Sequence, residues 1–142
     1  MSRLYICLAA LFSLSLFSAS ALADVTGVWS TIEGKSHVKI EPCGDKLCGK
    51  IIWLKEPLNS DGSPKIDIHN SDNNQRDRPI IGLELLKGFV PNGSNEWDDG
   101  QIYNPEDGNT YNSTMILTSP KILDVKGCVL FFCKTQTWNK VE

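Results

Sequence analysis

Beyond its first 23 residues the chain lacks any apolar run near the ~20 residues that a membrane-spanning helix needs. The one long apolar run, from Leu4 to Leu16, follows Arg3 and precedes the small residues of Ala21-Leu22-Ala23. A positive start, an apolar segment of about 13 residues and a small-residue cleavage site are typical of a secretory signal peptide. We therefore predict a signal peptide over residues 1–23, export, and no membrane insertion of the remaining chain.

The chain also lacks an excess of basic residues. Lys and Arg number 14 against 17 Asp and Glu, which gives a formal net charge of −3 at pH 7. A protein without a basic stripe cannot neutralise closely spaced phosphates, so nucleic acid and anionic membrane are expected to be poor partners. Residues 24–142 have the length of one domain with one core.

Recognisable catalytic and metal-binding motifs are missing. The two histidines are His37 and His69, and neither a G-x-S-x-G nor an H-E-x-x-H pattern occurs. Counted from Asp67, an EF-hand loop would have Asp72 where glycine is needed and Arg78 where glutamate is needed. We expect no metal, no cofactor and a non-enzymatic role. One enzymatic alternative stays open, a hydrolase or isomerase that pairs His69 with Asp67 or Asp72.

Cysteines are few, and their spacing is regular. Of five, Cys7 falls in the predicted signal peptide, and the others form two pairs, Cys43 with Cys48 and Cys128 with Cys133. In an exported chain of this length they indicate two disulfides. Residues five apart in a straight strand lie about 16 Å from each other, so each local pair must span a turn to be bonded. We favour 43–48 and 128–133; a crossed pairing and a four-cysteine zinc site are the alternatives.

What the sequence does contain is a period-two alternation of apolar and polar residues, as around Val38 and Ile40. With turn residues such as Asp107-Gly108 between them, the alternating segments predict about eight strands and no helix. A meander of this kind closes into an all-β antiparallel up-and-down barrel, which leaves no open edge. Residues 55–78 form a long polar loop. The expected strands lie near 26–32, 37–42, 47–53, 80–89, 98–104, 109–117, 120–126 and 133–140.

The order of motifs resembles one family over nearly all of residues 24–142. Gly27-Val28-Trp29 begins the first strand and Trp138-Asn139-Lys140 ends the last, similar to the G-x-W and terminal basic residue of lipocalins. In a closed barrel these strands are neighbours, so Gly27, Trp29, Trp138 and Lys140 are expected to be structural, with Lys140 covering Trp29. The wider series is Gly27-x-Trp29, Val38-x-Ile40, Cys43, Leu47-Cys48-Gly49-x-Ile51, Asn70-x-Asp72, Arg76-x-Arg78-Pro79, Gly82, Trp97, Gly100-x-Ile102-Tyr103, Pro105-x-Asp107-Gly108, Tyr111 and Gln136-Thr137-Trp138.

This series resembles the DUF2147 family, small exported bacterial proteins grouped with the lipocalin-like calycin barrels and without an established activity. The resemblance implies a lipocalin-like barrel in the periplasm of a Gram-negative bacterium. Two positions depart from the family pattern. Ser71 stands where proline is usual, and Lys140 stands where arginine is usual.

An eight-stranded barrel has room for one small ligand or for its own side chains. We expect a non-enzymatic periplasmic protein that binds a small apolar or amphipathic molecule at the barrel mouth. The second hypothesis is an interaction module whose barrel is filled and whose long loop docks on an envelope protein. As an alternative to anchoring a ligand, Arg76 and Arg78 pair with Asp67, Asp72 or Asp77 to hold the long loop in place. The candidate ligand-binding residues are Trp53, Trp97, Tyr103 and Tyr111 for contact area and Arg76 and Arg78 as a polar anchor.

Overall fold

Antiparallel strands follow one another along the chain and close into a barrel in the computed structural model, which describes residues 24–141. The predicted all-β up-and-down architecture is confirmed, and the predicted signal peptide at 1–23 lies outside the described residues. The eight strands are β1 (Gly27–Ser30), β2 (Ser36–Cys43), β3 (Lys46–Leu54), β4 (Glu84–Pro91), β5 (Glu96–Asn104), β6 (Asn109–Ser119), β7 (Ile122–Val129) and β8 (Phe132–Lys140).

The barrel closes where β1 pairs with β8. Trp29 lies opposite Lys140 in this pairing, and the Lys140 Nζ atom is 5.3 Å from the centroid of the Trp29 ring. The same ammonium donates a hydrogen bond to the Thr26 carbonyl at 2.9 Å. Lysine therefore does at this position what the resemblance assigns to the terminal basic residue: it covers the indole and fixes the chain that enters β1.

Connections between antiparallel strands alternate between the two ends of a barrel. Residues 31–35, 55–83, 105–108 and 130–131 lie at one end, which we call the loop end. Residues 44–45, 92–95 and 120–121 form the short connections of the other end, the turn end. The loop end therefore carries most of the irregular chain.

The barrel interior is filled by its own side chains. Trp29, Trp138, Phe89, Leu86 and Met115 are almost completely buried and belong to one hydrophobic cluster. A Cβ added to Gly100 would lie 2.4 Å from the Phe89 ring, so the phenylalanine occupies the space in front of this glycine. Filling of this kind stabilises the barrel and leaves little volume for a guest.

Residues 55–83, which we call the excursion, form an ordered connection from β3 to β4. The Asp67 N–H donates to the Arg78 carbonyl at 3.0 Å and the Ile51 N–H donates to the Leu83 carbonyl at 2.9 Å. The strand predicted over 80–89 begins only at Glu84, because Gly82, at φ 94°, turns the chain where the excursion returns to β3. The expectation of no helix is corrected by short 3-10 helices at Ile32–Gly34 and Asn73–Gln75.

Both favoured disulfides are present. The Cα atoms of Cys43 and Cys48 are 5.7 Å apart across the β2–β3 turn, and those of Cys128 and Cys133 are 4.1 Å apart across the β7–β8 turn. The crossed pairing and the zinc site are thereby excluded. No helix within residues 24–141 is long and apolar enough to cross a membrane.

Candidate functional site

A buried carboxylate lies beneath the excursion. The Asp67 side chain has no exposed surface, and it accepts hydrogen bonds from the Tyr103 hydroxyl at 2.6 Å, Arg78 Nε at 2.8 Å and Asn70 Nδ2 at 2.8 Å. The Arg78 guanidinium also lies 5.4 Å from the centroid of the Tyr103 ring. We call these four residues the Asp67 cluster. It joins the excursion to β5 through charge-assisted hydrogen bonds.

The protonation states of this cluster follow from its contacts. Burial alone raises the pKa of Asp67, but the hydrogen bonds from Tyr103, Asn70 and Arg78, with the Arg78 charge, outweigh burial and hold the pKa below its usual value. Burial raises the pKa of Tyr103, and its hydrogen bond to the Asp67 carboxylate raises it further. At neutral pH Asp67 is therefore ionised and Tyr103 is a neutral donor.

Both predicted anchor arginines make contacts within the excursion. Arg76 Nε donates to the Asn70 carbonyl at 2.7 Å, and Arg78 Nε donates to Asp67. These contacts match the alternative in which the arginines hold the long loop, and Asp67 is the partner of Arg78. Asp72 instead accepts hydrogen bonds from the Asn74 N–H and the Gln75 side chain. A contact of either arginine with a ligand stays a prediction.

The predicted aromatic residues are not brought together around one cavity. Trp53 is exposed on the barrel wall, with its ring centroid 4.4 Å from that of His37, and Trp97 is buried opposite Met115. Tyr103 belongs to the Asp67 cluster. Tyr111 alone lies on the inward-facing row at the loop end, two residues from buried Ser113, with its hydroxyl donating to Asp107 at 2.5 Å. Their role in ligand binding stays a prediction.

Two recesses of the described residues are open to solvent. One, of about 760 Å³, is lined by outward-facing side chains of β4, β5 and β6, among them Lys87, Gln101 and Asn112. The other, of about 600 Å³, lies between the excursion and β5, beside Arg78 and Tyr103. Lys87, Gln101 and Asn112 are consecutive partners across these strands, which places the first recess on the outer face. Neither recess is an enclosed apolar pocket of the kind that surrounds a small lipophilic ligand.

His69 makes no hydrogen bond with Asp67 or Asp72 in the described residues, although the enzymatic alternative requires such a pair. His69 is exposed, and the carboxylate oxygens of Asp67 and Asp72 accept hydrogen bonds from other residues of the excursion and β5. A hydrolytic dyad needs the histidine and carboxylate to meet in one concave site. Across residues 24–141, no group of three or more His, Cys, Asp or Glu side chains is placed to hold a metal ion.

A surface feature that the sequence analysis missed lies at the β7–β8 turn. Val129, Leu130, Phe131 and Phe132 are all exposed there, Phe131 by 97%. Between two cysteines that must span a turn, an uninterrupted apolar run was the signal that could have found it, because such a turn has to present those side chains to solvent. We call these four residues the apolar tip.

A closed meander of eight antiparallel strands, with a basic residue over the tryptophan of β1, defines a lipocalin-like barrel. A solved structure described as protein HP1028 from the human pathogen Helicobacter pylori, belonging to the lipocalin family, superposes with a TM-score of 0.73. The identity is 24% and 84% of each chain is covered, so this likeness concerns the fold. The chain belongs to the family described as "Uncharacterized protein conserved in bacteria" (DUF2147), whose model matches residues 27–140. No curated protein shows significant similarity to it.

Proposed function

We propose that this protein is a non-enzymatic interaction module of the bacterial cell envelope, which binds through its surface at the loop end and does not enclose a ligand. The observation that carries the proposal is the filled barrel, in which Trp29, Trp138, Phe89 and Met115 occupy the interior. The two recesses described above are open to solvent and lie outside the barrel wall or under the excursion. Binding by such a protein has to use its surface.

Placement in the periplasm is part of the proposal. Two disulfides fit a compartment where thiols are oxidised, and the family to which the chain belongs is bacterial. The segment 1–23 has the charge and apolar pattern of an export signal. The expected product begins near Asp24 and folds after transport.

The experiment that tests this proposal is native mass spectrometry of the protein released from the periplasm. We expect the mass of the chain without residues 1–23, lowered by the hydrogens lost in two disulfides, and no bound small molecule. A stoichiometric small-molecule adduct would overturn surface binding as the main activity.

The second candidate is the small-ligand carrier, in which an apolar or amphipathic molecule enters the barrel mouth. One observation favours it. Tyr111 and Ile102, which are cross-strand partners on the inward face at the loop end, are only half-buried. In this case the adduct is present and is lost from Tyr111→Ala, whereas the matched variant Trp53→Ala, on the outer wall, retains it.

A further inference from the structure

The apolar tip is the most exposed apolar surface of the described residues. Its residues are exposed by 50% at Val129, 88% at Leu130, 97% at Phe131 and 80% at Phe132. Scattered single apolar residues are normal on protein surfaces, but four consecutive ones with two phenylalanines are not. The rest of the barrel does not cover these four side chains, so an external apolar partner would have to bury them.

The turn itself has a composition unlike the other hairpin turns of the barrel. Those turns contain Gly34-Lys35, Gly44-Asp45, Asn92-Gly93, Asp107-Gly108 and Pro120-Lys121, and each includes a glycine or proline, which turns favour. The β7–β8 turn has Leu130-Phe131 instead, and Leu130 adopts φ 52°, a left-handed conformation that disfavours leucine. The sequence therefore keeps apolar side chains where turn geometry alone would select glycine or asparagine, which points to a use for them.

The tip is held in one conformation before any partner arrives. Val129 and Phe132 are direct partners in the ladder, and the next pair, Cys128 and Cys133, is covalently joined. Because β7 and β8 bond to each other up to the turn, the backbone there has few free polar groups to desolvate. A preorganised tip loses little conformational entropy when it binds.

Within the hairpin that carries the tip, the nearest charges are basic, in a chain that is acidic overall. Residues 125–135 contain Lys126 and Lys134 and no Asp or Glu, whereas the whole chain has a formal net charge of −3. Lys134 is two residues from Phe132 along β8, a distance of about 7 Å at the usual rise of a strand. Apolar groups of interfacial proteins enter a bilayer by about 5–10 Å, so the two ammonium groups would lie at the level of the phosphates.

We propose that the apolar tip docks the protein on the surface of an anionic phospholipid bilayer, with Phe131 and Phe132 in the interfacial region and Lys126 and Lys134 on lipid phosphates. This inference rests on the proposed surface-binding function and names its partner. A groove in a protein contacts one side of an inserted segment, but the four tip side chains are exposed on both faces and at the apex of the hairpin. The interior of a bilayer surrounds an inserted segment with apolar groups on all sides, and its anionic phosphates lie next to it, which matches the distribution of apolar and basic side chains at the tip.

The net negative charge of the whole chain disfavours anionic membranes, but it does not describe the local charge beside the tip, which is positive along this hairpin. The docking is peripheral, since it involves one turn of one hairpin and no spanning segment. The attraction of two lysines to anionic lipids is weak, and burial of one small turn in the bilayer is weak as well. We therefore expect binding that is reversible and that requires both contributions.

Vesicle flotation with the exported protein, both disulfides intact, tests the inference. We expect flotation with vesicles of phosphatidylethanolamine and phosphatidylglycerol, and much less with phosphatidylcholine alone. Phe131→Ser and Phe132→Ser should each lower the partition coefficient about tenfold, because each removes one large apolar side chain from the bilayer. Lys126→Gln with Lys134→Gln should abolish the preference for phosphatidylglycerol. Ile122→Ser is the matched control, since Ile122 is an exposed apolar residue of the same hairpin at the turn end, and it should float like the wild type.

Except for half-buried Lys126, the substituted residues are exposed, and urea unfolding of each variant verifies that the barrel is intact. Failure of the wild-type protein to float, or equal flotation of Phe131→Ser, would overturn membrane docking. Capture of an envelope protein that is lost from Phe131→Ser, without vesicle binding, would also overturn it and assign the tip to a protein partner. In both cases native mass spectrometry without an adduct leaves the proposed surface-binding function standing, so the two failures are distinguishable.

Discussion

At the scale of single residues, Asp67 combines complete burial with an ionised side chain. Its folded pKa lies below the unfolded value of about 3.9, so its contribution to stability is present above that pH and is lost as the pH falls through the folded pKa. We predict that Asp67→Asn lowers the free energy of unfolding by about 2 kcal/mol at neutral pH, because Arg78 and Tyr103 lose their shared acceptor. Urea unfolding at a series of pH values measures both effects.

The same substitution should flatten the decline of stability at acid pH. Asp77→Asn is the matched control, since Asp77 is an exposed carboxylate of the same excursion, and it should follow the wild type closely. If Asp67→Asn keeps the wild-type dependence on pH, the cluster does not hold the excursion through its charge.

Gly100 is the residue whose replacement should damage the core most directly. A Cβ at this position would lie 2.4 Å from the Phe89 ring, so Gly100→Ala forces the ring or β5 to move and should cost about 2 kcal/mol of stability. Combining it with Phe89→Leu should cost less than the sum of the two single changes, because they share one contact. Gly127→Ala, where the nearest atom is at 3.4 Å, should be nearly neutral in the same urea measurement. Equal losses at Gly100 and Gly127 would contradict this packing.

Single-residue features differ in how far the sequence predicts them. The sequence favoured the two local disulfides because each pair could span a turn, and it left a crossed pairing as an alternative. The contact of Gly100 with Phe89 could not, since it depends on strand register, and a slip of one residue reverses every side chain. For the same reason the inward position of Tyr111 and the outward position of Trp53 became known only from the structure.

At the scale of elements, the excursion is ordered by backbone hydrogen bonds and by the Asp67 cluster. We predict that Arg78→Gln raises amide hydrogen exchange across residues 65–80 while leaving β6 to β8 unchanged, because the excursion opens as a unit without unfolding the barrel. Lys65→Gln is the control, since it removes only an exposed ion pair with Glu56, which contributes little. Uniform faster exchange in every strand would instead mean that Arg78 stabilises the whole fold.

Strands were the elements that the sequence predicted well, because period-two alternation and turn residues act locally. β4 is the instructive exception. Residues 80–83 read as a strand from their apolar content, yet Ile80 and Leu83 are buried as parts of the excursion, and Gly82 turns the chain before β4 begins. An apolar run predicts that a segment is buried, but whether the buried segment is a strand or an irregular connection depends on contacts with distant parts of the chain.

At the scale of the whole molecule, the sequence predicted a closed barrel but not whether it is hollow. The same aromatic residues that suggested a pocket can also fill the interior, and the choice depends on which rings point inward. Of those residues, Trp97 is buried in one cluster with Trp29, Phe89 and Trp138, whereas Trp53 is exposed. The proposed function therefore assigns binding to the loop end, where Tyr111, the excursion and the apolar tip lie.

Closure of the barrel depends on the shortest of its strand pairings, that of β1 with β8. Trp29 and Ser30 pair with Lys140 and Asn139, and Lys140 adds its ammonium over the indole and a hydrogen bond to Thr26. We predict that Lys140→Gln lowers the free energy of unfolding by about 1 kcal/mol through loss of the cation–π contact, and that Lys140→Arg retains stability. The urea midpoint should shift with an unchanged slope, since the barrel still unfolds as one unit.

Hydrogen exchange localises this effect to the junction. The Val141 N–H donates to the Val28 carbonyl at 2.7 Å beside the covered indole, so its protection should fall in Lys140→Gln before that of β5 and β6. Lys121→Gln removes an exposed lysine at the neighbouring β6–β7 turn and should change neither measurement. Equal behaviour of the two variants would show that pairing of the strands alone closes the barrel, and that the basic residue above Trp29 serves another purpose.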